Sequence, residues 1–351
     1  MKRKSMLHPL PVLIVTILMV SSSSSALALD TSRDEIQSFI NELAQEHGFE
    51  ETYVQGVLDQ TETKQKILDA ISRPAERTRP WHEYRDIFMT EARISAGVEF
   101  WNEHGDSLEY AAAETGVPPE VIAAIIGVET FYGRITGSYR VVDALATLGF
   151  DYPPRAKFFR GQLEEVFLLA REEELELTEL LGSYAGAMGP PQFIPSSYRA
   201  YAVDGDGDGR RDLLGNWDDI LMSVGNYFVK NGWKSGQPVA VPATSAVQGD
   251  VKRGENKLKM TSTVAELQTD GFFFDSPVTE DTASQLITLE GKTDTEYWIG
   301  FHNFYVITRY NRSSMYALAV FQLSEALSAA KADADAAAEA AIAASSTEVK
   351  N

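Results

Sequence analysis

In the ten residues from Val121 to Thr130 the only charge is Glu129. Pro118-Pro119-Glu120 stands just before them and reads as a helix start, with proline where no N–H is required. A helix is therefore expected over Glu120–Thr130, ending near Gly133. On a 3.6-residue repeat, Ile122, Ile125 and Ile126 lie seven, four and three residues before Glu129, so its carboxyl projects from the apolar, inward stripe. Such a segment belongs inside a packed helical core, and it carries a carboxyl with it. A poorly hydrated carboxyl is expected to have a raised pKa, as an acid that protonates a leaving group near neutral pH requires. A helix-end glutamate whose head reaches solvent or an arginine has the same local sequence, so the pattern alone leaves both readings open.

The chain around this helix reads as mainly α (α+β). Residues 1–28 have the layout of a secretory signal peptide: Lys2, Arg3 and Lys4, an apolar run Pro11–Val20, a serine tract, then Ala26-Leu27-Ala28 with cleavage after Ala28. The apolar run is short of the roughly 20 residues that span a bilayer. Residues 29–118 look like a helical domain. Ser32-Arg33-Asp34-Glu35 is read as a capping box opening a helix that Gly48 ends, and further helices fit Tyr53–Asp59, Lys64–Ile71, Glu91–His104 and Ser107–Thr115 around a turn-rich stretch near Pro74 and Pro80. Residues 119–235 form the next unit, with helices at Arg155–Glu173, Ile194–Tyr201 and Trp217–Asn231. Residues 236–305 turn to Thr, Val and Phe between Gly/Asp turns and suggest a small β domain. Residues 306–328 bring a last helix, Ser314–Leu327, back to the core. Residues 329–351 are alanine-rich with alternating acids, expected as a solvated or frayed tail.

Charge narrows the function. A net charge of −20 disfavours nucleic acid, which needs a basic face, and simple adhesion to anionic lipid. With no cysteine the chain can form neither a disulfide nor a lipidated N-terminal cysteine, so the mature protein is expected to be soluble in the periplasm, with no stable membrane insertion. The five histidines show no zinc spacing, neither GxSxG nor a P-loop occurs, and no organic cofactor is indicated.

Three further stretches carry chemistry. Ser183-Tyr184-Ala185-Gly186-Ala187-Met188-Gly189-Pro190-Pro191-Gln192 is small enough for backbone to approach a bulky ligand, and Gln192 offers both a donor and acceptors. A tight packing loop would look the same. Asp204, Asp206 and Asp208 stand at positions 1, 3 and 5 of an EF-hand-like Ca²⁺ loop, with Gly209 at 6 and Arg210 at 7. Position 12 is Gly215, so Asp218 or Asp219 has to complete the cage from a longer loop, and Asp219 is favoured. The expected role of the ion is structural, pinning the start of the Trp217–Asn231 helix. Tyr227 shares a face of that helix with Ile220 and Val224, and Arg309-Tyr310-Asn311-Arg312 with Tyr316 forms another polar and aromatic cluster.

Together these stretches resemble the lytic murein transglycosylase B family. Its hallmarks are a GVET-type helix end, a GAMG–QF–PSSY loop, an EF-hand-like calcium loop and a VxNY helix. Here they stand as Gly127–Thr130, Gly186–Tyr198, Asp204–Asp219 and Val224–Tyr227, followed by Tyr310-Asn311-Arg312, within a resemblance running from about Pro80 to Leu327. It implies a lysozyme-like catalytic core flanked by the helical and β domains. It implies Glu129 as catalytic acid/base, with Arg155, Ser183, Gln192, Asn226, Tyr227, Tyr310, Asn311 and Tyr316 lining a groove for peptidoglycan glycan strands. Two departures stand out: the family's lipoprotein cysteine is missing, and the calcium loop is one residue longer.

The resemblance further implies cleavage of the bond between N-acetylmuramic acid and N-acetylglucosamine with formation of 1,6-anhydromuramyl ends. One carboxylate then suffices, where ordinary glycosidases use two. A muramidase that hydrolyses the same bond, and a non-catalytic calcium-stabilised peptidoglycan-binding protein, are the competing readings.

Overall fold

The computed structural model describes residues 27–72, 79–246 and 258–348. Most of the expected signal segment, the stretch around Pro74 and the last three residues lie outside them. Strand β1 (Leu27–Ala28) pairs with β2 (Glu62–Thr63), tying the start of the chain to the first helices. These are α1 (Asp34–His47), α2 (Glu51–Asp59) and α3 (Gln65–Ile71). The expected capping box is absent: Arg33 is the N-cap, no side chain caps the helix, and the Ser32 hydroxyl instead donates to Asp30 (2.6 Å). Gly48 does end α1, in a left-handed conformation.

Next come α4 (Trp81–Phe88), α5 (Glu91–Glu103), α6 (Gly105–Thr115) and α7 (Pro119–Thr130). Helix α4 falls just after what was read as turns. Its Trp81 and Tyr84 are buried. The expectation of a one-sided stripe on α7 needs correcting: every residue from Val121 to Val128 is buried, so the helix is apolar all round. Each such Val or Ile contributes about 1.5–3 kcal/mol over an exposed one, which makes α7 the axis of the core. Helix α5, helix α6 and two later helices, over Trp217–Lys230 and Ser314–Glu348, pack on it.

A short hairpin of β3 (Tyr139–Arg140) and β4 (Leu181–Gly182) brackets α8 (Val141–Asp151) and α9 (Ala156–Glu172). Then follow α10 (Pro195–Tyr201) and α11 (Trp217–Lys230). The small β domain comprises β5 (Ala240–Ser245), β6 (Ser262–Thr263), α12 (Val264–Thr269), β7 (Phe272–Phe273), β8 (Ala283–Glu290) and β9 (Thr295–Gly300). Its antiparallel sheet has the order β6-β8-β9-β5-β7, with Val241 and Leu286 both opposite Ile299. It has a core of its own in Val264, Leu267, Phe272, Ile299 and Phe301.

Helix α13 (His302–Tyr310) leads back, and α14 (Ser314–Glu348) follows. Asn303 on α13 is fully buried and clasps the junction, accepting from Lys234 N–H and donating to the carbonyls of Lys234 and Gln237. Helix α14 does not stop at Leu327: the alanine-rich stretch prolongs it as an exposed helix. No single helix among the described residues is long and apolar enough to cross a membrane.

Candidate active site

Glu129 occupies the last turn of α7 and is partly exposed although its neighbours on either side are buried. The Tyr316 hydroxyl, from the first turn of α14, donates to Glu129 Oε1 at 2.5 Å. Tyr310 stacks on Tyr316 with nearly parallel rings (centroids 6.4 Å, 12°) and Tyr227 lies against Tyr310 (4.8 Å). Burial, and next the Glu129 charge, push the Tyr310 and Tyr316 phenols well above their usual value. Burial pushes the Tyr227 phenol up to about 12. All three therefore stay protonated donors across the working pH range.

Their hydrogen bonds distinguish their roles. Tyr310 donates to the Pro191 carbonyl (2.6 Å) and Tyr227 to the Arg309 carbonyl (2.5 Å). Both hydroxyls, of residues expected to line the groove, are engaged with backbone, and Tyr227 is buried in the core. Asn226 Nδ2 donates to the Tyr201 carbonyl (2.8 Å).

Residues 182–193 fold back as a narrow loop in which Met188 bridges both Gly182 and Phe193. The Ser183 hydroxyl accepts from the N–H of Ala187 (3.0 Å), so it shapes this loop. Gln192 sits at a positive φ of 51°, and its Nε2 donates to the carbonyls of Thr136 and Gly189 (3.0 Å each). Its amide nitrogen is thus committed to the loop. Gly189, at φ 65°, has to be glycine because a Cβ there would run into the Leu213 carbonyl. Asn311 follows α13 in extended conformation, its carbonyl accepting from Ser313 N–H (2.7 Å). Arg155 stands apart. It stacks over Phe158 and Phe159 (4.4 and 4.9 Å), and no hydrogen bond or ring contact joins it to the Glu129 set among the described residues.

In the acidic loop, carboxylate oxygens of Asp204, Asp206 and Asp219 lie within 4.8 Å of one another. Asp219 is fully buried at the start of α11 and accepts from the N–H groups of Gly205 (2.7 Å) and Asp212 (2.6 Å). Burial raises its pKa, the charges of Asp206 and Asp204 adding to the effect. Asp218 turns away to accept from the Ser107 hydroxyl (2.5 Å). Asp208, expected among the ligands, is not in the convergent set; its carboxylate caps the Arg210 N–H (2.8 Å). The Arg210 guanidinium pairs with Glu174 (2.8 Å), so Arg210 can serve only through its backbone. Oxygen donors in this number suit a hard divalent cation, which would also relieve the repulsion.

Two neighbours escaped the sequence reading. The Thr130 hydroxyl donates to the Pro190 carbonyl (2.9 Å) and accepts from Gly133 N–H (3.0 Å), fastening the end of α7 to the loop. Buried Tyr84 acts electrostatically on Tyr316. It lies on α4, just after the stretch read as turns, for which no helix was expected.

Comparison with known proteins bears on this geometry. The family profile described as transglycosylase SLT domain matches residues 31–325. The chain is 42% identical over 306 residues to the membrane-bound lytic murein transglycosylase B of Escherichia coli (strain K12), across 84% of this chain and 83% of the relative. The soluble lytic transglycosylase SltB1 of Pseudomonas aeruginosa superposes with a TM-score of 0.79 at 49% identity, covering 85% of this chain and 99% of that one. The Escherichia coli lytic transglycosylase Slt35 in complex with calcium superposes with a TM-score of 0.80 at 39% identity, covering 89% of this chain and 98% of that one.

Proposed function

Since the chain belongs to the transglycosylase SLT-domain family, we propose that it cleaves peptidoglycan glycan strands with Glu129 as its sole catalytic acid and base. The protein is a lytic transglycosylase with a lysozyme-like fold, a peptidoglycan-cleaving lyase. The observation that carries the assignment to Glu129 is the hydrogen bond from Tyr316 to its carboxylate, beneath a wall of protonated tyrosines.

Glu129 first protonates the oxygen between N-acetylmuramic acid and N-acetylglucosamine, whose bond to the muramyl anomeric carbon breaks as the N-acetylglucosamine part of the strand leaves as an alcohol. As a carboxylate it then accepts the proton of the muramyl C6 hydroxyl while that oxygen bonds to the anomeric carbon. The Tyr316 hydroxyl stabilises this charged form. The product is a 1,6-anhydromuramyl end, and no water is consumed. Tyr310 and Tyr227 present rings for sugar stacking, while Gln192 Oε1, Ser183, Asn226 and Asn311 fix the strand's register. Arg155, on its own stack, reaches a more distant part of the strand.

The acidic loop fits calcium, with Asp204, Asp206 and Asp219 as carboxylate ligands; the Arg210 backbone carbonyl would add a further oxygen, and Asp208 would join only by releasing the Arg210 N–H. The ion would supply charge neutralisation that holds the loop on α11. The Lys2-Arg3-Lys4 start, the apolar run and Ala26-Leu27-Ala28 support export to the periplasm.

Digestion of purified peptidoglycan, with muropeptide masses read, tests the reaction: anhydro ends are expected, and exclusively reducing ends would make the protein a muramidase. Glu129→Gln is expected to abolish lysis while folding and glycan retention persist. Unchanged turnover would remove Glu129 from the chemistry.

A further inference from the structure

We propose that Arg93, on α5, is a positioning residue for the reaction: it closes the end of α7 and so holds the Glu129 carboxyl at the groove. Arg93 Nη1 donates to the Gly127 carbonyl, two residues before Glu129. Its guanidinium lies between two rings, 5.3 Å from the Phe88 centroid and 4.8 Å from that of Phe131. Phe131 is itself the cap of α7, its N–H returning to the same Gly127 carbonyl (3.2 Å).

The turn being held is strained. Phe131 and Tyr132 follow Thr130 with φ of 52° and 60°, a left-handed pair without glycine. Such conformations cost of order 1–3 kcal/mol each and persist only when the surroundings impose them. The Tyr132 ring is driven against α7, where a Cβ on Gly127 would lie 2.7 Å from its hydroxyl. That hydroxyl and Arg93 Nε are buried with no hydrogen-bond partner among the described residues.

Stability does not explain this cation. Arg93 has no carboxylate partner among the described residues, and a half-buried charge without one costs more than a neutral side chain would. What the guanidinium does supply is a donor and a flat stacking face in one rigid group, aimed at the carbonyl end that carries Glu129. Without it, the left-handed turn relaxes and the last turn of α7 frays.

The inference rests on Glu129 as the acid, and its test is separable from that reading. Arg93→Met and Arg93→Lys, in the full chain, are compared with wild type for Tm and for kcat and KM on solubilised glycan strands. For Arg93→Met, kcat is expected to fall about 10- to 100-fold per folded molecule with KM within about threefold, because small misplacement of a catalytic group acts on turnover. Arg93→Lys keeps the charge and a donor without the fork, and should recover part of the loss. A folded Arg93→Met with wild-type kcat, or a loss confined to KM or to the folded fraction, overturns the proposal. Should Arg93→Met not fold, Arg93→Lys decides: a kcat equal to wild type overturns it. If Glu129→Gln stays active the assignment of the acid fails, whereas an inactive Glu129→Gln beside an unimpaired Arg93→Met overturns only the role of Arg93.

Discussion

The polar and aromatic cluster beside Glu129 and the acidic loop are neighbours built on opposite electrostatic plans. In the cluster, polar side chains end on backbone carbonyls: Tyr227 on Arg309, Tyr310 on Pro191, Asn226 on Tyr201, and Gln192 on Thr136 and Gly189. These are neutral donors, each satisfied within the chain. In the loop, Asp204, Asp206 and Asp219 turn carboxylates towards one another, with backbone N–H groups as their chief internal partners. That arrangement stores repulsion that only a cation fully relieves. Yet the two regions touch. Gly189 abuts the Leu213 carbonyl, and the Tyr198 hydroxyl donates to Arg211 O (2.5 Å) while accepting from Leu213 N–H (2.7 Å). Geometry is made in one region and stability in the other, and the seam decides how far they are independent.

The largest effect should come from the loop. A cation that binds the native state at a hundred times its Kd adds about 2.7 kcal/mol. For a chain of this size, at about 2.1 cal/mol/K of unfolding entropy per residue, that corresponds to roughly 4 °C in Tm. Chelation followed by calorimetry is expected to show such a fall, and Asp219→Asn should reproduce it and blunt the response to calcium. A Tm indifferent to chelator would mean the loop is held by its own N–H groups.

Next is Tyr316→Phe. Hydrogen bonds to charged groups contribute about 1.5–3 kcal/mol, so kcat should drop about 10- to 100-fold, with a much smaller change in Tm. If Tm falls as far as it does on chelation while kcat per folded molecule holds, Tyr316 belongs to the scaffold and the division proposed above is wrong. Tyr310→Phe should be milder and of the opposite kind. It leaves the Pro191 carbonyl unpaired, at a cost of about 1–3 kcal/mol in stability, with turnover changed less than by Tyr316→Phe.

Much of both regions was legible in the sequence, for different reasons. The loop is local: three aspartates at alternate positions announce themselves within six residues, but it took the structure to set Asp208 outside the convergent group and Asp219 within it. The groove is assembled from far apart. Tyr316 meets Glu129 across 187 positions and Tyr310 meets Pro191 across 119, so resemblance could name these residues but not say where their hydroxyls go. Helix α8 escaped because all but one of its residues are buried, which erases the period that marks a helix. Helix α4, directly after the turn-rich stretch, went unread for want of a side-chain cap, and with it Tyr84.

The smallest effect sharpens the seam itself. His104, at the α5–α6 junction, lies between Phe100 (4.7 Å) and Trp217 (4.8 Å), the residue that opens α11 straight after the loop. Burial lowers its pKa below 6.5, against a weaker upward pull from Glu103 and Asp218. The unfolded chain therefore takes up this proton first as pH falls. Stability from the neutral ring is complete above about pH 6.5 and is lost as pH drops from there through the lower folded value. His104→Phe keeps the stacking and removes the titration. The Tm advantage of wild type over this variant should therefore shrink on going from pH 7.5 to pH 5.5, with calcium saturating throughout. A difference that stays constant over that interval would show that the ring remains neutral or is equally hydrated in both states. The contact between α5 and the head of α11 would then be apolar packing with no electrostatic share in the loop.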